Sequence, residues 1–243
     1  MDLPPAIAPP PALIGTVRSF RAVTPRARLL RVDLGGQTFR FRAGQAASIG
    51  RPDQPLRKPY SIASSPSDLA RTGTLDFLVG LEPDGEPGSH LAGVGRGAPI
   101  ELQGPFGGFR LPPVEDRAVL FIAGGTGIAP LRSMLHDLLD CGAPPPIALV
   151  YSARAAEEMA FVPELRTLSA RGALDLTLTL TGRPPADWRG SHGRVSRAML
   201  ARHVTPPRRT VCAVCGPPAF VDHVVRALDE LGVERDRIVT ERY

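Results

Sequence analysis

The chain has 243 residues, 43% apolar and 22% charged, an ordinary globular composition with length enough for one large or two medium domains. No apolar run reaches the ~18–20 residues of a membrane span, the opening Met1-Asp2-Leu3-Pro4-Pro5 lacks a secretory signal, and three cysteines are too few for a disulfide scaffold, so a cytoplasmic protein is expected. A net charge of +5 does not by itself point to nucleic acid, because the basic residues, all arginine except Lys58, are scattered with no run of five or six.

Prolines at 4, 5, 9, 10 and 11 mark residues 1–12 as an extended tail. Short strands are then predicted at 13–20, 29–34, 38–41, 46–49, 75–81 and 100–102. Alternation is clear in Leu30-Arg31-Val32-Asp33-Leu34, and turn clusters such as Gly35-Gly36, Glu82-Pro83-Asp84-Gly85 and Gly104-Pro105 separate the runs. No segment of this half has helical periodicity, so residues 13–112 are read as an antiparallel barrel or sandwich.

After Pro112-Pro113 the pattern changes. A continuous apolar strand at 118–123 precedes a helix carrying Ile128, Leu131, Leu135, Leu138 and Leu139 on one side. Strand 147–151, helix 157–169, strand 174–180, a shorter helix at 195–203, strand 210–214, helix 219–231 and a last strand at 238–240 follow. Strands alternating with helices predict a doubly wound, parallel-sheet α/β domain over 113–243.

The first chemical signal is Phe121-Ile122-Ala123-Gly124-Gly125-Thr126-Gly127-Ile128-Ala129-Pro130. A buried strand ends, glycines turn the chain, and a helix starts with N–H groups ready for a phosphate. Such a turn also forms for purely structural reasons, but its place on the first strand of the α/β domain favours a ligand. The second signal, Arg57-Lys58-Pro59-Tyr60-Ser61-Ile62-Ala63-Ser64-Ser65, joins cations, a ring and hydroxyls within nine residues. It suits a ligand with a phosphate and a flat ring system, and alone it reads equally well as a solvated turn.

Taken together, these segments resemble the ferredoxin–NADP⁺ reductase superfamily of flavoproteins. Gly104-Pro105-Phe106-Gly107-Gly108-Phe109, Cys215-Gly216-Pro217-Pro218 and Glu241-Arg242-Tyr243 match further motifs in the same order, and the resemblance covers about 14–243. It implies an FAD-binding Greek-key β-barrel followed by an NAD(P)-binding α/β domain.

The resemblance also implies site residues. Tyr60 stacks on the flavin and the Ser61 hydroxyl lies near its reactive nitrogen, with Pro59 and Ser64 in the same cofactor segment. Lys58 stands where the family has an arginine on the FAD pyrophosphate, keeping the charge but losing the bidentate fork, with Arg57 beside it as a compensating cation. In Gly85-Glu86-Pro87-Gly88-Ser89-His90-Leu91, Gly88 replaces the family's hydroxyl residue and Ser89 comes one residue late, leaving backbone N–H groups to serve the pyrophosphate. Gly124, Gly125, Thr126 and Gly127 hold the nicotinamide dinucleotide. Cys215 orients the nicotinamide, Glu241 is a carboxylate near the flavin, and Tyr243 covers the second flavin face.

Cys212-Ala213-Val214-Cys215 is not read as a redox pair or zinc half-site. It sits in an apolar strand, its cysteines point oppositely at this spacing, and no second pair completes four ligands. Ser152, Arg154 and Arg183, at the ends of the second and third α/β strands, offer hydroxyl and guanidinium donors without a competing carboxylate, which favours NADPH over NADH. The cysteine count lacks the family's Cys-x₄-Cys-x₂-Cys iron–sulfur pattern, so a separate acidic carrier such as ferredoxin or flavodoxin is the expected acceptor. A free-flavin reductase and an electron-transfer subunit of a larger complex stay open as alternatives.

Overall fold

A computed structural model describes residues 12–114, 117–204 and 206–243, so the proline tail lies, but for residue 12, outside the described residues. Strands β1 (Leu13–Thr24), β2 (Ala27–Asp33), β3 (Ala46–Gly50), β4 (Lys58–Ser61), β5 (Thr74–Gly80) and β6 (Pro99–Phe106) form one antiparallel sheet in the order β4-β3-β6-β1-β2-β5. A bridge between Ile62 and Phe77 joins its edges and closes a barrel, which removes exposed edge strands. Leu30 and Val32 point inward from β2 and meet Ile49, Phe77, Ile100 and Leu102, all fully buried. Each such side chain contributes roughly 1.5–3 kcal/mol.

Two readings of this half are corrected. Residues 38–41 are not a strand; their alternation instead seats Phe39 and Phe41 in the barrel core with ring centroids 5.9 Å apart. A helix, α1 (Pro66–Thr72), stands where none is predicted. It carries too few apolar residues to show a stripe, and its start is a capping box. The Asp68 N–H donates to Ser65 Oγ at 3.0 Å and the Ser65 N–H to Asp68 Oδ2 at 3.1 Å.

The second sheet is wholly parallel. Its strands are β7 (Ala118–Gly124), β8 (Ile147–Ala153), β9 (Asp175–Leu180), β10 (Ser191–His192), β11 (Thr210–Gly216) and β12 (Ile238–Arg242), ordered β10-β9-β8-β7-β11-β12. Helices α2 (Ile128–Leu139), α3 (Val162–Ala170), α4 (Arg197–Ala201) and α5 (Pro218–Glu230) accompany it. Phe121 packs with Leu131 and Leu135 on one face, while Leu120 and Ile122 meet Val224 on the other, which explains the unbroken apolar run of β7. The helix predicted at 157–169 begins later. A 3₁₀ turn at Ala156–Glu158 comes first, Phe161 takes a left-handed φ of 63°, and Pro163 sits in the first turn of α3. The helix predicted at 195–203 shortens to α4, and β10 is an extra two-residue strand.

The barrel and the α/β domain meet along α2. Arg132 Nη1 donates to the Ala63 carbonyl and Ser133 Oγ to the Ser64 carbonyl, both at 2.7 Å. Arg132 is also paired with Glu164 of α3 at 2.9 Å and covers the Phe161 ring at 4.9 Å. His136 is clamped between Asp68, 3.2 Å from Nδ1, and Glu164, 2.6 Å from Nε2. Burial disfavours the charged ring, but the two carboxylates outweigh it and push the imidazole up to about 9 from its ordinary 6.5.

A group whose pKa rises on folding stabilises fully below its unfolded value and loses that contribution as pH rises through its folded value. The junction is therefore expected to weaken between pH 6.5 and about 9, by about 3 kcal/mol at most. Urea unfolding across that window checks this: His136→Gln is expected to remove the slope, and a variant with the wild-type slope would contradict the clamp.

Candidate active site

Strand order reverses on the two sides of β7, which lies between β8 and β11, and ligands of such sheets bind in the crevice beyond that point. The Gly124–Pro130 turn leaves β7 there. Gly125 has φ 56°, and a Cβ on Gly127 would stand 2.3 Å from the Cys215 carbonyl oxygen, so neither position accepts a side chain. No side chain caps α2, so the helix start beside the crevice is left for another group to cap. Tyr151, fully buried on β8, braces the turn from below. Its hydroxyl donates to the Gly125 carbonyl and accepts from the Ala160 N–H, each at 3.1 Å.

Parallel register lines up Ala123 on β7, Cys215 on β11 and Glu241 on β12. Ser61, at the end of β4, arrives from the barrel and donates to Glu241 Oε2 at 3.1 Å, while Cys215 Sγ lies 3.9 Å from the same oxygen. Burial raises the Glu241 carboxyl against the pull of these two hydrogen bonds, so the neutral acid persists to higher pH than usual. Burial, reinforced by Glu241, raises the Cys215 thiol strongly, and it stays a thiol. A cavity of about 450 Å³ opens beside them, lined by Tyr60, Ser61, Thr126, Pro130, Cys215 and Tyr243 among others. Tyr243, 57% exposed, lies across the turn with its hydroxyl donating to the Gly124 carbonyl at 2.7 Å.

The barrel supplies a second feature. Lys58 Nζ is 2.8 Å from Glu82 Oε1, and a Cβ on Gly88 would come within 3.0 Å of both atoms. Glycine at 88 thus leaves a small cradle beside an ammonium group. Ser89 opens a short 3₁₀ turn, Ser89–Leu91, and its carbonyl accepts from Gln54 at 3.1 Å. The cradle and the cavity, with Pro59 and Tyr60 between them on β4, fit a molecule that pairs a phosphate with a flat ring system, as FAD does.

Two side chains of this segment turn elsewhere. Arg57 does not reinforce Lys58, because it turns the other way and bonds Glu101 of β6. Ser64 does not reach the cavity. It is buried, and its hydroxyl accepts from the Asp76 N–H at 3.1 Å.

On the nucleotide side, Ser152 is buried in register with Gly124. Arg154 and Arg183 are exposed in loops after β8 and β9, held together by the Gly182 N–H donating to the Arg154 carbonyl at 2.9 Å. Cys212 and Cys215 pack in clusters on opposite faces of the sheet, as their spacing demands. Sequence reasoning missed Tyr151, Glu82 and His90. The first is one apolar-run residue among several, and the other two sit in turn-like stretches without a local signal.

Comparisons with known proteins agree with this geometry. The chain matches the oxidoreductase FAD-binding domain over residues 15–111 and the oxidoreductase NAD-binding domain over residues 121–226. It is 32% identical over 240 residues to ferredoxin–NADP reductase B of Sorangium cellulosum, covering 93% of this chain and 95% of that protein. It is 29% identical over 212 residues to the reductase component of propane 2-monooxygenase from Mycolicibacterium goodii, covering 84% of this chain and 60% of that relative's length. Among solved structures, an Amycolatopsis cytochrome P450 reductase superposes with a TM-score of 0.82 at 24% identity, over 98% of this chain and 71% of that one. A Neisseria gonorrhoeae ferredoxin NADP⁺ reductase with bound FAD and NADP gives 0.78 at 22% identity, over 95% and 98%. These two share the fold.

Barrel, switch-point turn and domain matches together define a two-domain oxidoreductase with an FAD-binding and an NAD-binding half. The chain belongs to the ferredoxin–NADP⁺ reductase family.

Proposed function

We propose that this protein is an FAD-containing reductase that takes hydride from NAD(P)H, with NADPH preferred, and passes electrons singly to a separate protein. The observation that carries the reading is the meeting of Ser61 from the barrel with Cys215 and Glu241 from the α/β domain at one cavity. Bound FAD supplies the conversion of a two-electron hydride into single electrons. Tyr60 offers a ring face for the flavin, Lys58 and the Gly88 cradle take the pyrophosphate, and Ser61 sets the hydroxyl that faces the reacting end. Cys215 and the Gly124–Gly127 turn orient the nicotinamide, and Glu241, its carboxyl raised by burial, receives the Ser61 hydrogen bond. Tyr243 fills the nicotinamide place and has to leave for transfer.

The acceptor is proposed to be an acidic carrier such as ferredoxin or flavodoxin, or an oxygenase component, in the cytoplasm where NADPH is made. The Sorangium and Mycolicibacterium relatives, by their names, support those partner classes, and the net charge of +5 favours electrostatic steering toward an acidic surface. The boundary between flavin and nucleotide domains is proposed at 112/113. The Lys58–Glu82 pair favours one alternative, in which flavin is a diffusible substrate, because Glu82 competes with a pyrophosphate for the ammonium. A protein that stays yellow through gel filtration excludes that alternative.

Arg154 and Arg183, with Ser152, are proposed to bind the 2′-phosphate. Replacing both arginines by alanine is expected to raise KM for NADPH about tenfold or more with kcat little changed, and to leave KM for NADH nearly constant. Steady-state assays with an artificial acceptor check this, and a wild-type protein that prefers NADH would overturn it.

A further inference from the structure

His90 is a buried titratable group in the barrel that the hydride site leaves unused. It is fully buried in the turn Ser89–Leu91 and stacks on Tyr60, with ring centroids 5.6 Å apart and planes 15° from parallel. Its Nε2 lies 2.9 Å from the Tyr60 phenolic oxygen, whereas its Nδ1, equally buried, has no hydrogen-bond partner among the described residues. A buried imidazole nitrogen without a partner is costly, and a ligand that satisfied it would gain directly.

Burial pushes the Tyr60 phenol up to about 12, so it keeps its proton and is able to donate to Nε2. Burial first, then Lys58, hold His90 below its ordinary pKa against the opposite pull of Glu82. When Tyr60 donates to Nε2, the neutral ring carries its proton on Nδ1, the nitrogen without a partner among the described residues. That nitrogen borders the Gly88 cradle: a Cβ at Gly88 would stand 3.1 Å from Nδ1 and 3.0 Å from Lys58 Nζ. An N–H and an ammonium thus converge on one point, where Glu82 Oε1 is the anion now held by Lys58.

We propose that His90 is a positioning residue linking the ring and the pyrophosphate of the flavin cofactor. Nε2 fixes the Tyr60 ring that meets the flavin, and the Nδ1 proton donates to a phosphoryl oxygen that replaces Glu82 as the partner of Lys58. This rests on the functional reading above and adds a pyrophosphate donor that the chain's departures at Lys58 and Gly88 leave room for.

The test compares FAD with riboflavin, which has the ring but no phosphate, on the full chain freed of flavin. His90→Phe keeps a stacking ring and removes both nitrogens. The ratio of FAD to riboflavin affinity, read by fluorescence titration, is expected to fall about tenfold. An unchanged ratio, with both ligands weakened equally or neither affected, overturns the phosphoryl contact. Nitrogen-15 NMR of histidine-labelled wild-type holoprotein gives a second readout that needs no variant. A neutral His90 protonated at Nδ1 is expected, and a ring protonated only at Nε2 overturns the proposal. A wild-type protein that binds neither flavin overturns the functional reading and this inference together, whereas tight wild-type FAD binding with an unchanged ratio overturns only the inference.

Discussion

Ser61→Ala is expected to slow flavin reduction by NADPH about a hundredfold while FAD stays bound. Ser61 is placed by backbone pairing with Ala46 of β3, so removing its hydroxyl leaves β4 in position. What disappears is the donor that reaches Glu241 Oε2 at 3.1 Å beside the Cys215 thiol. This is the one side-chain hydrogen bond described that joins barrel to α/β domain inside the cavity, so its loss acts on the orientation of the reacting partners rather than on either domain alone. Anaerobic stopped-flow reduction measures it directly. A rate within about threefold of wild type would remove Ser61 from the reaction, because a lost donor at a reacting centre costs far more.

The second large effect is expected at Tyr243. Its hydroxyl donates to the Gly124 carbonyl at 2.7 Å, and its ring lies over the turn that is proposed to hold the nicotinamide dinucleotide. A ligand that needs this place binds the fraction of molecules in which Tyr243 has moved, and its apparent affinity is reduced by that fraction. Tyr243→Ala abolishes the competition and is expected to tighten NADP⁺ binding by about 10–100-fold. Turnover is expected to fall as well, because tight product slows release. Difference-spectrum titration with NADP⁺ gives the affinity, and unchanged or weaker binding would show that Tyr243 does not occupy the nicotinamide place.

Much of this arrangement is legible in the sequence, for reasons that differ between elements. The strand that became β7 was legible because burial on both faces demands an unbroken apolar run, and the Gly124–Pro130 turn because only glycine tolerates Gly127 against the Cys215 carbonyl. Residues 38–41 misled because two inward rings at alternate positions look the same in a strand and in an irregular segment pressed on a core. α1 escaped because seven residues held by a capping box need no apolar stripe, although Ser65-Pro66-Ser67-Asp68 carries the capping signal in plain view.

The site divides along similar lines. Ser61 and Glu241 are 180 positions apart, and no local pattern links them; the ordered motifs suggested both, and the packing of the end of β4 against β12 brings them together. The environment of Lys58 was not legible at all. Its partner Glu82 lies in a stretch that reads as a turn, and the diversion of Arg57 to Glu101 depends on which side of the barrel each neighbouring residue faces. Charge in a sequence names the cations and leaves their counter-ions to the fold.

The most direct measurement is an anaerobic titration of the purified protein with NADPH while its visible flavin absorbance is recorded. A protein that is yellow as isolated and bleaches in proportion to added NADPH is the expected result. A colourless protein, or a flavin spectrum that neither NADPH nor NADH alters, would contradict the proposal that hydride crosses between the two domains at Ser61, Cys215 and Glu241.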